Sequence, residues 1–143
     1  MRNRLRVELK APATEVWALI GDFSRYPEYS LGLERVEAKL DRNGAPAEYL
    51  CHFKGGALHR EIIRWYEPNR GYASRGEEPD PSGLKNLLTL VTLTPSDAGT
   101  ILTWDEYYDA QDLPSRSAEF EQALADIGKN LVARFGGRYV LSR

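Results

Sequence analysis

A chain of 143 residues is long enough to bury a core without disulfides or a structural metal, and it reads as one domain, 1–143, with no linker. A formal net charge of −2 and a pI near 5.7 supply no long-range field for nucleic acid or an anionic membrane, and no apolar run approaches the ~18 residues of a membrane span. Cys51 is the lone cysteine, which excludes an intrachain disulfide framework; with no signal peptide visible, the expectation is a soluble, cytoplasmic protein without stable membrane insertion.

The first element is an alternating strand, Arg4 to Lys10, with Leu5, Val7 and Leu9 on one face and charge on the other. Pro12 suits a first helical turn, Glu15 suits the positive end of the helix dipole, and a short helix is expected from there. Asp22 caps a second, but Pro27 limits it to about one turn. The order suggests that these two short helices act as a lid rather than a plug. Strands follow at Leu33 to Leu40, Ala47 to Lys54 and Leu58 to Glu67, then at Tyr72 to Glu77, Leu87 to Thr94 and Thr100 to Tyr108. Turn residues separate them, among them Gly55-Gly56 and the polar loop Glu78-Pro79-Asp80-Pro81-Ser82-Gly83, of a kind that often borders a binding site. From about Ser115 the period changes: Phe120, Leu124, Ile127, Leu131, Phe135 and Tyr139 recur at helical steps, which predicts one long amphipathic helix to the end. The architecture expected is α+β, a seven-stranded antiparallel sheet wrapped around that helix, with unfilled space at the end where the short helices sit.

The run from Ala11 through Val16-Trp17 and Asp22-Phe23-Ser24-Arg25-Tyr26-Pro27 to Tyr29 resembles the entry motif of the START-like, or SRPBCC, superfamily. Gly55-Gly56, the strand and turn Glu61 to Arg70, and Gly99-Thr100-Ile101-Leu102-Thr103-Trp104 match as well, and the most similar branch is the polyketide cyclase/dehydrase and lipid-transport group. The resemblance implies a helix-grip fold with a cavity for a small hydrophobic or amphipathic molecule, and supplies no shared catalytic set. Tyr29 departs from the Trp that many relatives carry, without affecting the fold expected.

Period-two alternation places Thr100, Leu102, Trp104, Glu106 and Tyr108 on the cavity face of the last strand, Glu61, Ile63 and Trp65 on that of the fourth, and Leu87, Thr89 and Val91 on that of the sixth. The helix adds Ile127, Leu131 and Phe135. Glu106 beside Trp104 and Tyr108 in a low-dielectric pocket would have a raised pKa; with Glu61 opposite, the two could divide acid and base roles, so Glu106, Glu61 and Tyr108 are the catalytic candidates. On strand three Tyr49, Cys51 and Phe53 face inward unless a bulge exchanges them for Leu50 and His52. His52 and His59 flank a hairpin turn and could face one another, but Cys51 points opposite to His52 and no third ligand has suitable spacing, so no metal is expected. No phosphate loop or dinucleotide fingerprint is present, and no cofactor is expected. These residues admit a ligand binder, a cofactor-free polyketide cyclase or dehydratase, and a protein-interaction module; a homodimer stays open.

Overall fold

The computed structural model describes residues 1–109 and 113–143, with side chains from 118 onward in the second stretch. Strand β1 (Arg2–Leu9) is followed by helix α1 (Ala13–Ile20) and a 3-10 helix (Phe23–Glu28). Then come β2 (Leu33–Leu40), β3 (Pro46–Phe53), β4 (Leu58–Glu67), β5 (Gly71–Gly76), β6 (Lys85–Ser96), β7 (Gly99–Asp109), helix α2 (Leu113–Phe135) and β8 (Gly137–Ser142). The sheet order is β2-β3-β4-β5-β6-β7-β1-β8, with every described neighbour antiparallel. The curved sheet grips α2, whose buried Leu124, Ile127 and Leu131 face it.

The eighth strand corrects the expected strand count and the expected helix end. Gly136 and Gly137 adopt φ of +76° and +123°, a backbone that side-chain-bearing residues avoid, and they turn the chain out of α2. A Cβ at Gly137 would lie 1.7 Å from the Glu8 carbonyl oxygen, so only glycine lets the chain pass close enough to pair with β1. Tyr139 therefore continues the spacing of the helix by coincidence and pairs with Val7 in a strand register.

The short helices are a plug, not a lid. Phe23 is buried and stacks on Tyr49 at 4.4 Å and edge-on to Tyr72 at 4.9 Å, while Tyr26 stacks on Tyr29 at 5.1 Å. Tyr66 Oη donates to the Gly21 carbonyl at 2.8 Å, and Asn130 Nδ2 donates to the Tyr29 carbonyl at 3.1 Å, which tie the plug to β4 and to the C-terminal half of α2. Aromatic side chains bury large areas and take edge or offset geometries without leaving voids, so this end is filled.

A second departure lies in β4, where pairing with β5 shifts register between Ile63 and Trp65. A bulge leaves one residue unpaired and reverses the alternation beyond it. Tyr66 consequently turns inward onto Trp17, 5.2 Å between ring centroids, and Trp65 turns outward with 37% of its surface exposed. In the edge strand β2 only Leu33 and Val36 are buried; Leu40 is exposed.

Candidate functional site

Open space borders the short helices through Tyr26 and extends from there toward the β5–β6 loop. It is a cavity of about 430 Å³ between the first residues of β4 and β6, the last of β7, the β5–β6 loop and the N-terminal half of α2. Leu33, Leu87, Phe120, Leu124 and Ile127 give it apolar walls, and Tyr26 of the plug forms the wall on that side, packing on Trp104 at 5.8 Å.

A row of inward polar residues crosses the concave face beneath this space. Tyr49 pairs with Glu61 across β3 and β4, Ser74 with Thr89 across β5 and β6, and Thr89 with Glu106 across β6 and β7. Ser74 Oγ donates to Glu61 Oε1 at 2.8 Å, which leaves the Tyr49 hydroxyl as donor in its 3.3 Å contact with Ser74 Oγ. His59 lies two residues before Glu61 and therefore on the same face, and its Nε2 lies 2.5 Å from Glu61 Oε2. Its Nδ1 lies 3.1 Å from Asp80 Oδ1, an ionic contact without hydrogen-bond alignment. Asp80 Oδ2 in turn accepts from the Ser82 and Leu84 amides at 2.7 and 3.3 Å, so the β5–β6 loop is organised around one carboxylate aimed at the imidazole. Gly76, paired with Glu61, makes room for this group: a Cβ there would stand 2.9 Å from Glu61 Oε2 and 3.1 Å from the His59 ring.

Burial by itself would depress the His59 pKa; the hydrogen bond and charge of Glu61, with the charges of Asp80 and Glu106, outweigh it and raise the net value. His59 is thus favoured as an imidazolium between two carboxylates, which suits it to hold charge rather than to accept a proton. Glu106 behaves differently. Desolvation, followed by repulsion from Glu61, pushes its carboxyl up to about 7; His59 and the Trp104 indole draw it back a little, the indole N–H without meeting hydrogen-bond geometry. A carboxyl that exchanges its proton near neutrality on a cavity wall can donate a hydrogen bond, or transfer a proton, to a group placed against it. Burial likewise pushes the Cys51 thiol up to about 12, so it lines the cavity as an inert apolar group.

Of the site residues expected from sequence, Glu61, Leu87, Thr89, Glu106 and Ile127 line the cavity. Val91, Leu102, Trp104 and Leu131 form the solid core, Ile63 and Phe135 pack on its edge, and Trp65 lies on the convex face. Tyr108 is turned toward Asn3, whose Nδ2 donates to its hydroxyl at 2.8 Å, and stacks edge-on to Phe120 outside the cavity wall. Sequence reasoning missed His59 and Asp80. His59 carried a usable signal, the two-residue step to Glu61; Asp80 carried none, because its place depends on the path of a loop. His52 does not face His59: it pairs with Leu58, whereas His59 pairs with Cys51. Among the described residues no three His, Cys, Asp or Glu side chains are grouped to hold a metal ion, and no helix is long and apolar enough to cross a membrane.

Comparison with solved structures finds the same fold at low sequence identity. Protein XoxI from Bacillus cereus superposes with a TM-score of 0.78 at 18% identity, covering 94% of each chain. A START superfamily protein from Mycobacterium smegmatis gives a TM-score of 0.78 at 14% identity, with 94% of this chain and 97% of that one covered. DynU16, from the dynemicin biosynthetic locus, gives 0.73 at 21% identity; 95% of this chain covers 48% of its length. No curated protein matches the sequence significantly. The family model described as "Polyketide cyclase / dehydrase and lipid transport" matches residues 3–136, and the helix-grip architecture above agrees with it. The chain belongs to the polyketide cyclase/dehydrase and lipid-transport family.

Proposed function

We propose that the protein binds a small hydrophobic or amphipathic molecule, lipid- or polyketide-like, in the cavity between the sheet and α2. The observation that carries this reading is the cavity's composition, apolar at Phe120, Leu124 and Ile127 of α2 and polar on the row that ends in Glu106. Apolar walls with a few convergent polar groups are the usual form of a small-molecule site, the walls supplying affinity and the polar groups orientation. Burying ~300 Å² of apolar ligand surface at ~25 cal/mol per Å² gives a gross term of ~7 kcal/mol, from which ordering costs are subtracted, so micromolar affinity needs no special device.

Native mass spectrometry of the protein purified from its natural source tests this. Retention of a hydrophobic adduct, weakened in Glu106→Gln, is the expected outcome; a bare mass together with failure of any hydrophobic probe to bind would overturn it.

A second reading, cofactor-free cyclisation or dehydration, is favoured by one observation, the proton that Glu106 exchanges near neutral pH. In that reading the Glu106 carboxyl protonates a carbonyl or departing hydroxyl oxygen and recovers the proton from the adjacent carbon. Loss of turnover with retained binding in Glu106→Gln supports this chemistry, whereas loss of binding alone leaves a carrier.

A further inference from the structure

The charges around the cavity are one-sided. Among the described residues that line it are four carboxylates, Glu61, Asp80, Glu106 and Glu119, facing one imidazole and no lysine or arginine. The cations of the same strands lie elsewhere: Arg4 pairs with Asp105 at 2.7 Å, and Arg60 approaches Glu48 and Glu77 at 3.6 and 3.5 Å, all on the opposite face of the sheet. Inside, His59 balances only one of the two carboxylates that bracket it. Both oxygens of Glu61 are engaged, one by His59 and one by Ser74, and Asp80 is engaged by His59 and two amides of its own loop. Among the described residues Glu106 meets no cationic partner at contact distance; His59 acts on it only through space. Among the described residues the polar end of the cavity therefore holds more acidic than cationic groups, in a low-dielectric setting where a missing counter-charge is costly.

We infer that the cavity selects amphiphiles whose polar end is a protonated amine and excludes those ending in a carboxylate. This rests on the ligand-binding reading above and narrows it to a charge class. The amine would be received by Glu106, the carboxylate with open lone pairs, while the apolar body lies along Leu124 and Ile127. A carboxylate-terminated ligand of the same length would bring a further acidic group beside Glu61 and Glu106 with no lysine or arginine among the described lining residues to meet it.

Isothermal titration with octylamine, 1-octanol and octanoate at neutral pH, each below its aggregation concentration, tests the inference on the wild-type protein. Octylamine is expected to bind at least about tenfold more tightly than octanol, with octanoate weakest of the three. In Glu106→Gln the amine should lose more affinity than the alcohol, which narrows the gap between them. Octanoate binding as tightly as octylamine, or equal affinity for all three, overturns the charge selectivity while leaving hydrophobic binding intact. Failure of all three overturns the binding reading and the inference with it. The wild-type series decides the matter even if the variant does not fold.

Discussion

The two ends of the helix grip are spanned by the same strands and the same helix, yet one is filled and the other hollow. At the filled end Phe23, Tyr29, Tyr72 and Trp104 are all but fully buried and meet face to edge. At the hollow end the corresponding inward positions are Ser74, Gly76 and Thr89, with Ala123 opposite on α2, and the loop around Asp80 stands at the border. Topology alone thus produces a trough; side-chain volume decides where it is closed. The division also separates roles. The aromatic end concentrates dispersion and apolar burial, and the other end holds the ionisable groups that stability by itself gives no reason to bury.

The sharpest way to break the contrast is to hollow the filled end. Phe23→Ala removes a ring from a site walled by Tyr49, Tyr66 and Tyr72 and is expected to cost about 4 kcal/mol in urea denaturation. A cost near 1 kcal/mol would mean that the plug is loosely seated and that the two ends do not differ as described.

Glu106→Gln tests the other end through pH. The unfolded carboxyl ionises around pH 4.5 and the folded one around 7, so the proton is held more tightly in the native state. Native stability from this group is fully present below pH 4.5, falls as pH rises toward 7, and has been lost above it. The variant, which has no proton to lose there, should match the wild type in acid and exceed it by about 2 kcal/mol above pH 7, a figure reduced for Glu106's partial exposure to the cavity. Parallel stability curves for the two proteins would show that Glu106 is wet and that the hollow end is not a low-dielectric site.

The smallest effect is expected at Trp65. Because the β4 bulge turns it to the convex face, Trp65→Ser should cost about 1 kcal/mol or less and leave probe binding at the cavity unchanged. Loss of binding in that variant would restore the uninterrupted alternation that the bulge breaks.

Local pattern was legible wherever an element's neighbours left it regular. The apolar phase of Leu5, Val7 and Leu9, the inward row Thr100, Leu102 and Trp104, and the helix stripe Leu124, Ile127 and Leu131 are all buried as their periods require. The bulge at Arg64 was not legible, since the adjacent apolar pairs Ile62-Ile63 and Trp65-Tyr66 fit either phase and only pairing with β5 shows the extra residue. The same holds for Tyr139, whose four-residue step from Phe135 continues the helical period although two glycines at positive φ intervene.

The sequence by itself determined the family, the helix-grip fold and the inward placement of Glu61, Thr89 and Glu106, because each follows from motif, element order or a period that acts over a few residues. Only the tertiary structure decided which end of the grip is open, that His59 lies between Glu61 and Asp80, and that Val91, Leu102 and Trp104 are core rather than cavity wall. Those outcomes depend on how side chains from distant segments share one volume. Volume, unlike periodicity, is settled only when the plug, the loop and the helix have all been packed against the sheet.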